Sequence, residues 1–408
     1  MRLTRLFRRL AVAACAVAIA RSAPAQTGAV DPSENAKMRI GPLALTPTLS
    51  MTNAGVDTNV FNEPESAGPK RDVTVTLQPK TDLWLHVGRS LVSGNITEDL
   101  VWFKRYSSER SVNNSYRVGL VVPLTRVTFG GSASYTRTRE RPGFEIDARA
   151  RRAQWGVEGT AEFLALSKTY VGVRAARDRV DFDKDEVFRG SNLHDELTRT
   201  ITAQAVTVRH QLTALTGLVF EVGKGKDRFP LSPLRDSEST TGAVTVKLDP
   251  FALIKGSARF GYRDYKPNDP RLPGFKGFTS QVDVNYVVLG ATKLGIQVLR
   301  DVQYSFDVAQ PYYLQTGVSG SLAQQIFGPI DVVARIGAAR LDYRDRADAV
   351  VAAADRQDHV RTYGLGVGYH LGKDVRVGFN GDHARRTSPV ADREYEGWRY
   401  GTALTYGF

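Results

Sequence analysis

Cysteine is all but missing from these 408 residues: Cys15 stands alone, with three methionines and six histidines. Once the leader described below is removed, no disulfide and no thiol chemistry remain. The histidines stand singly at 86, 194, 210, 359, 370 and 383, without the spacing of metal ligands. A nucleophile elbow is absent too, since Gly317-Val318-Ser319-Gly320 resembles Gly-x-Ser-x-Gly only superficially. Gly223-Lys224-Gly225-Lys226 lacks the spacing and the Ser or Thr of a phosphate loop. Asp181 to Glu186 begins like a calcium loop but has no glycine for the sharp turn, so a solvated acidic loop is expected. His383 beside Asp382, with Ser388 near, is the one conceivable hydrolytic group, of the kind found in outer-membrane lipases, but barrel enzymes are generally smaller than this chain. No enzyme, cofactor or metal site is expected. The formal charge is +12, and the leader's five arginines account for five of it. Because Arg alternates with Asp and Glu rather than clustering, nucleic acid is not an expected partner.

Long apolar runs are also lacking. Leu10 to Ala20 is the longest, too short to span a bilayer as a helix. Arg2, Arg5, Arg8 and Arg9 precede it and Ala23-Pro24-Ala25 follows, the layout of a secretory signal peptide cleaved before Gln26. Too few apolar residues precede Cys15 for a lipoprotein box. A chain exported in this way, without helical spans, can cross a membrane only as a closed barrel.

What is present fits a barrel. Trp398, Tyr400, Leu404, Tyr406 and Phe408 fall on one face of a last strand, with Arg, Gly, Ala and Thr on the other. Leu404, Tyr406 and the terminal Phe408 resemble the insertion signal of bacterial outer-membrane barrels. Upstream, tight turns recur at Gly88-Arg89, Pro123-Leu124, Ala165-Leu166, Gln211-Leu212, Asp249-Pro250, Leu289-Gly290, Gln325-Ile326 and Leu371-Gly372. Charged, Pro- and Gly-containing loops alternate with them: 53–71, 107–110, 140–147, 183–193, 230–235, 266–274, 307–310, 345–357 and 388–394. Nine long connections and eight short ones predict an all-β, antiparallel up-and-down transmembrane barrel of about 18 strands. Both termini belong at its short-turn, periplasmic side, and the long loops outside. Aromatic belts are expected near the tight turns (Phe163, Tyr170, Phe251, Phe327, Tyr369). A second belt should lie near the long loops (Trp102, Tyr106, Tyr135, Phe182, Tyr262, Tyr265, Phe278, Tyr304, Tyr343, Trp398). The competing fold is a secreted sandwich, whose strands also alternate.

Alternation separates an apolar set, such as Phe278, Val282, Val284 and Tyr286, from a polar one. The polar set gives candidate lumen residues: Arg152, Glu158, Glu162, Arg174, Asp178, Asp283, Gln297, Asp301, Gln303, Arg335 and Arg376. Their charges could tune solute passage or simply brace neighbouring strands as ion pairs. Glu98 and Arg300 fall on the apolar face, and the strand around 198–209 gives no clear face. The first long loop, 53–71, could fold inward as a constriction or stand out as an epitope.

Arg39-Ile40-Gly41-Pro42-Leu43-Ala44-Leu45-Thr46-Pro47, then Asp57-Thr58-Asn59-Val60-Phe61, Asp72 and Pro79, resemble the opening of a family of outer-membrane β-barrel porins. The resemblance implies a porin-like barrel of similar length, of a kind often linked to exopolysaccharide export in Gram-negative bacteria. No catalytic residues come with it. The expected order is a signal peptide (1–25), a periplasmic lead-in (26–42) and the barrel (43–408). The expected function is passive solute diffusion or a conduit for polysaccharide export, and the alternative is a non-conducting protein that displays its loops for adhesion or assembly. Expected partners are outer-membrane lipids and lipopolysaccharide, the barrel assembly machinery and polysaccharide-export components.

Overall fold

The computed structural model describes residues 31–248, 253–288 and 290–407. The leader, Phe251 and Phe408 lie outside them, as do residues 249–250 and Leu289 of two expected turns. A short strand β1 (Met38–Ile40) is followed by β2 (Leu43–Asp57), β3 (Asp72–Val87), β4 (Ser90–Phe103), β5 (Ser111–Pro123) and β6 (Val127–Glu140). Next come β7 (Ala150–Leu166), β8 (Thr169–Phe182), a small hairpin of β9 (Val187–Phe188) and β10 (Ser191–Asn192), and one helical turn, Leu193–Leu197. The chain goes on through β11 (Arg199–Thr213), β12 (Thr216–Arg228), β13 (Ser237–Leu248), β14 (Ile254–Pro267), β15 (Phe275–Val288) and β16 (Thr292–Tyr304). It ends with β17 (Tyr312–Phe327), β18 (Ile330–Arg344), β19 (Gln357–Leu371), β20 (Val375–Thr387) and β21 (Tyr395–Tyr406).

Apart from β1 and the β9–β10 hairpin, each strand pairs antiparallel with its successor, and β21 pairs back onto β2 through Leu49–Tyr406 to Asp57–Arg399. Eighteen strands therefore close into a barrel, which excludes a sandwich with open edges. Strands of 12 to 17 residues exceed the 9 to 11 or so that a tilted strand needs to cross the hydrocarbon. The expected tight turns come up to three residues early, because strands such as β11 and β17 run on through Gln211 and Gln325 before a register shift. Gly88 (φ 60) and Gly372 (φ 71) take up the left-handed backbone that two of these hairpins require. The first loop starts later than expected. β2 runs through Asn53, which bulges at φ 54, and ends where the Asp57 carboxylate accepts from Asn59 N at 3.0 Å.

The register fixes the two faces of the wall. Val118, Phe129, Val157, Val173, Val222, Phe260, Ile296, Val318, Ile336, Leu365 and Phe379 are exposed on one face, a continuous apolar band that in water would be an association hazard. On the other face lie the charged residues described next, together with several loops. β15 and β16 unzip at the long-loop end. Their ladder starts only at Ser280–Arg300, and Tyr304 reaches across to Ser237 at 2.7 Å. The loop after β16 is thereby delivered into the barrel.

Candidate functional site

All eleven candidate residues lie on the inner face. Many of the ion pairs there do not join neighbouring strands. They step over a small residue on the strand between. Glu162 on β7 meets Arg209 on β11 at 2.5 Å across Gly172 of β8. Arg335 on β18 meets Asp382 on β20 at 2.8 Å across Gly364. A Cβ at Gly364 would run into both side chains. Arg376 and His370 both engage Asp331, at 2.5 and 2.6 Å, and Arg263 reaches Asp301 at 2.8 Å across Gly277. Arg174 and Glu158 pair at 2.6 Å between adjacent strands. Asp283 and Gln297 are weakly joined at 3.5 Å, while Asp178 presses against Gly156. Arg152 and Gln303 line a small recess beneath the loops. Sequence reasoning missed the partners Arg209, Arg263, Asp331 and Asp382, and also the Glu221–Arg259 pair at 2.7 Å. The β11 face that alternation left unassigned is settled by Arg209 pointing inward.

The long-loop end is built differently. The loop 141–149 leaves the wall between β6 and β7 and crosses the lumen. Glu145 accepts from Ser305 Oγ at 2.9 Å, in the loop between β16 and β17, which is eight strands away in one direction and ten in the other. The Glu145 carboxylate also takes the Tyr343 hydroxyl, and its main-chain carbonyl takes the Arg393 guanidinium. Asp147 faces Arg386 at 3.1 Å and Arg393 at 3.5 Å. Arg386 binds Asp358, which Arg356 holds at 2.5 Å. Three carboxylates and three guanidiniums thus balance one another, each 6% exposed or less. Beside them Ile146, Phe182, Phe188, Leu193, Leu197 and Phe306 form an apolar cluster drawn from three loops and the tops of β7 and β8. Arg235 pins the 305–311 loop through the carbonyls of Ser305 and Pro311, at 2.5 and 2.9 Å, and pairs with Glu196 at 2.9 Å. Burial pulls the Arg235 guanidinium below its ordinary value against the pull of Glu196.

Of the two alternatives for the first loop, the exposed one describes its tip, from Glu65 onward, and the loop that crosses the lumen is 141–149. Four of the expected belt aromatics, Phe182, Tyr265, Tyr304 and Tyr343, are inside, serving the loops; Tyr170 lies under Arg209 at 3.9 Å. Trp102, Tyr135, Tyr262, Phe278 and Trp398 do face outward. His383 and Asp382 occupy opposite faces. His383 packs on Trp398 and pairs with Glu396 at 2.9 Å outside, while Asp382 serves Arg335 inside, so no hydrolytic group forms. Among the described residues, no three His, Cys, Asp or Glu are grouped to hold a metal.

The family model described as "Putative beta-barrel porin 2" matches residues 31–406, so the chain belongs to that family and to the outer membrane. No curated protein matches it. Similar solved structures include Pseudomonas aeruginosa OpdK with vanillate, at 9% identity and TM-score 0.45, covering 89% of this chain and 97% of that one. A bacterial polysaccharide outer membrane secretin matches at 7% identity and TM-score 0.30, covering 89% and 98%. The FrpB iron transporter of Neisseria meningitidis matches at 10% and 0.41, covering 88% of this chain but 64% of its own.

Proposed function

As a member of this porin family the chain is, we propose, a channel for the diffusion of small solutes, with loop 141–149 as its size-limiting constriction. The short turns and both termini face the periplasm in this reading, as in other barrels with long external loops. One observation carries it: Glu145 and Asp147 tie a wall loop across the lumen to groups on the far side. Eighteen strands enclose an aqueous channel when nothing fills it, and a loop held by directional ion pairs narrows that channel without sealing the wall. The wall pairs are half-exposed, such as Arg335 and Asp382 at 38% and 44%, which suits a wet lumen beneath the loops. Polysaccharide export would need the loops displaced, so it fits less well.

The apolar cluster under Phe306 favours a second reading, a barrel stoppered at its outer end that presents its loops for adhesion or assembly. Single-channel recording of the refolded protein in a planar bilayer separates the two. The channel predicts stable steps that grow several-fold when residues 142–148 are replaced by a short Gly-Ser linker. A folded protein that stays silent in both forms would favour the stopper.

A further inference from the structure

Between loop 141–149 and the inner faces of β2 to β4 lies a cavity of about 270 Å³, at the small end of ligand pockets. Its charges do not cancel. Arg141, Arg149 and Arg399 line it against Asp57 and Glu140, one positive charge in excess, and the pair Glu109 and Arg139 behind the lining is neutral. The carboxylates are already engaged. Asp57 holds Arg399 at 2.9 Å, Glu109 holds Arg139 at 2.9 Å and Arg149 at 3.5 Å, and Glu140 accepts from Asn113 at 3.1 Å. Arg141 is the one left over. Its Nη2 donates to the Val60 carbonyl at 2.7 Å, its Nε is buried without a partner, and among the described residues no carboxylate lies within ion-pair distance of it. Burial and the neighbouring Arg399 hold its guanidinium below the ordinary arginine value, against the more distant pull of Asp57 and Asp147.

We propose that this cavity is a subsite for a small monocarboxylate, bound through Arg141 on its way through the lumen. The proposal rests on the channel reading and names its substrate class. A guanidinium fork fits a carboxylate in bidentate fashion, one net charge calls for a monoanion rather than a dianion, and Val60, Val101 and Phe103 offer apolar wall to the carbon body.

The test is calorimetric titration of the folded barrel in detergent with benzoate, benzamide and inorganic phosphate. Folding is verified by heat-shifted gel migration. Benzoate should bind, with benzamide and phosphate weaker. Arg141→Gln should weaken benzoate about 10- to 100-fold, the worth of a charge-assisted hydrogen bond, and Arg141→Lys should fall between. If Arg141→Gln does not fold, Arg141→Lys decides alone, because it keeps the charge and loses the fork. Equal affinity for benzamide, tighter phosphate, no benzoate binding or an unaffected Arg141 variant overturns the subsite. Conductance is read separately. A silent barrel that binds benzoate removes the channel and keeps the subsite, and a conducting barrel that ignores benzoate does the reverse.

Discussion

The barrel wall and the loop cluster at its long-loop end use the same chemistry, Arg against Asp or Glu, in opposite settings. Along the wall, Glu162 and Arg209 keep 23% and 22% of their side-chain surface and Arg335 and Asp382 more. In the loops, Arg386 and Asp358 keep none. Half-wet pairs gain little, because water screens them and two long side chains must be held still. Dry pairs are different. Their charges were costly to bury, so removing one partner strands the other in a medium that cannot solvate it. The wall pairs act as braces that can be lost singly, and the loop pairs as a latch that fails as a unit.

The sharpest way to break that contrast is to cut each kind once. Arg386→Met leaves Asp358 and Asp147 buried without their common partner and should cost about 3–5 kcal/mol, seen as an early local transition in urea. Arg335→Met on the wall should cost less than about 1 kcal/mol. Equal shifts would erase the distinction. Next in size, Phe306→Ala opens a hole in the apolar cluster and should cost about 3 kcal/mol, with faster hydrogen exchange in 141–149 and 193–197 but not in β3 and β4. Glu145→Gln keeps the shape of the latch and loses its charge. It should raise conductance by a smaller factor than replacing the whole loop does, whereas Glu158→Gln on the wall should leave step size nearly unchanged.

The smallest expected effect concerns pH. Burial draws the Arg149 guanidinium down to about 10, with Glu109 opposing the shift. A base whose value is lowered in the fold gives up its proton earlier, so the charge of the cavity persists at neutral pH and weakens only towards pH 10. Benzoate affinity should therefore stay flat from pH 6 to 9. A drop within that range would implicate a carboxylate or histidine instead of the arginines.

Much of the wall was legible in the sequence because a strand has a period of two and a tight turn has its own residue chemistry. Phe278, Val282 and Tyr286 could be told from Gln281 and Asp283 by spacing alone, and the strand number followed from counting turns. Partners were less legible. Alternation says that Glu162 and Arg335 share a face with other charges, but not that Gly172 and Gly364 let them reach strands two away. The latch was hidden. Glu145 and Asp147 sit in a nine-residue loop without periodicity, and the side chains that hold them, Ser305, Tyr343, Arg386 and Arg393, are at least 160 positions further on. Of the latch's members only Tyr343 left a trace, and its position near a loop placed it in the outer belt.

The central claim is that loop 141–149 lies inside the barrel while the tip of the first loop does not. Cys15 falls in the predicted leader, so a single introduced thiol on the barrel can be followed by the rate at which it reacts with a bulky maleimide. On the folded protein, Ala67→Cys should react nearly as fast as a free thiol and Ile146→Cys, 4% exposed as isoleucine, on the order of a hundredfold more slowly, consistent with a site reached only by local opening. Adding Arg386→Met should close most of that gap. Equal rates at positions 67 and 146 in the otherwise unaltered barrel would contradict the account, because a loop that reacts like an exposed tip cannot be the constriction.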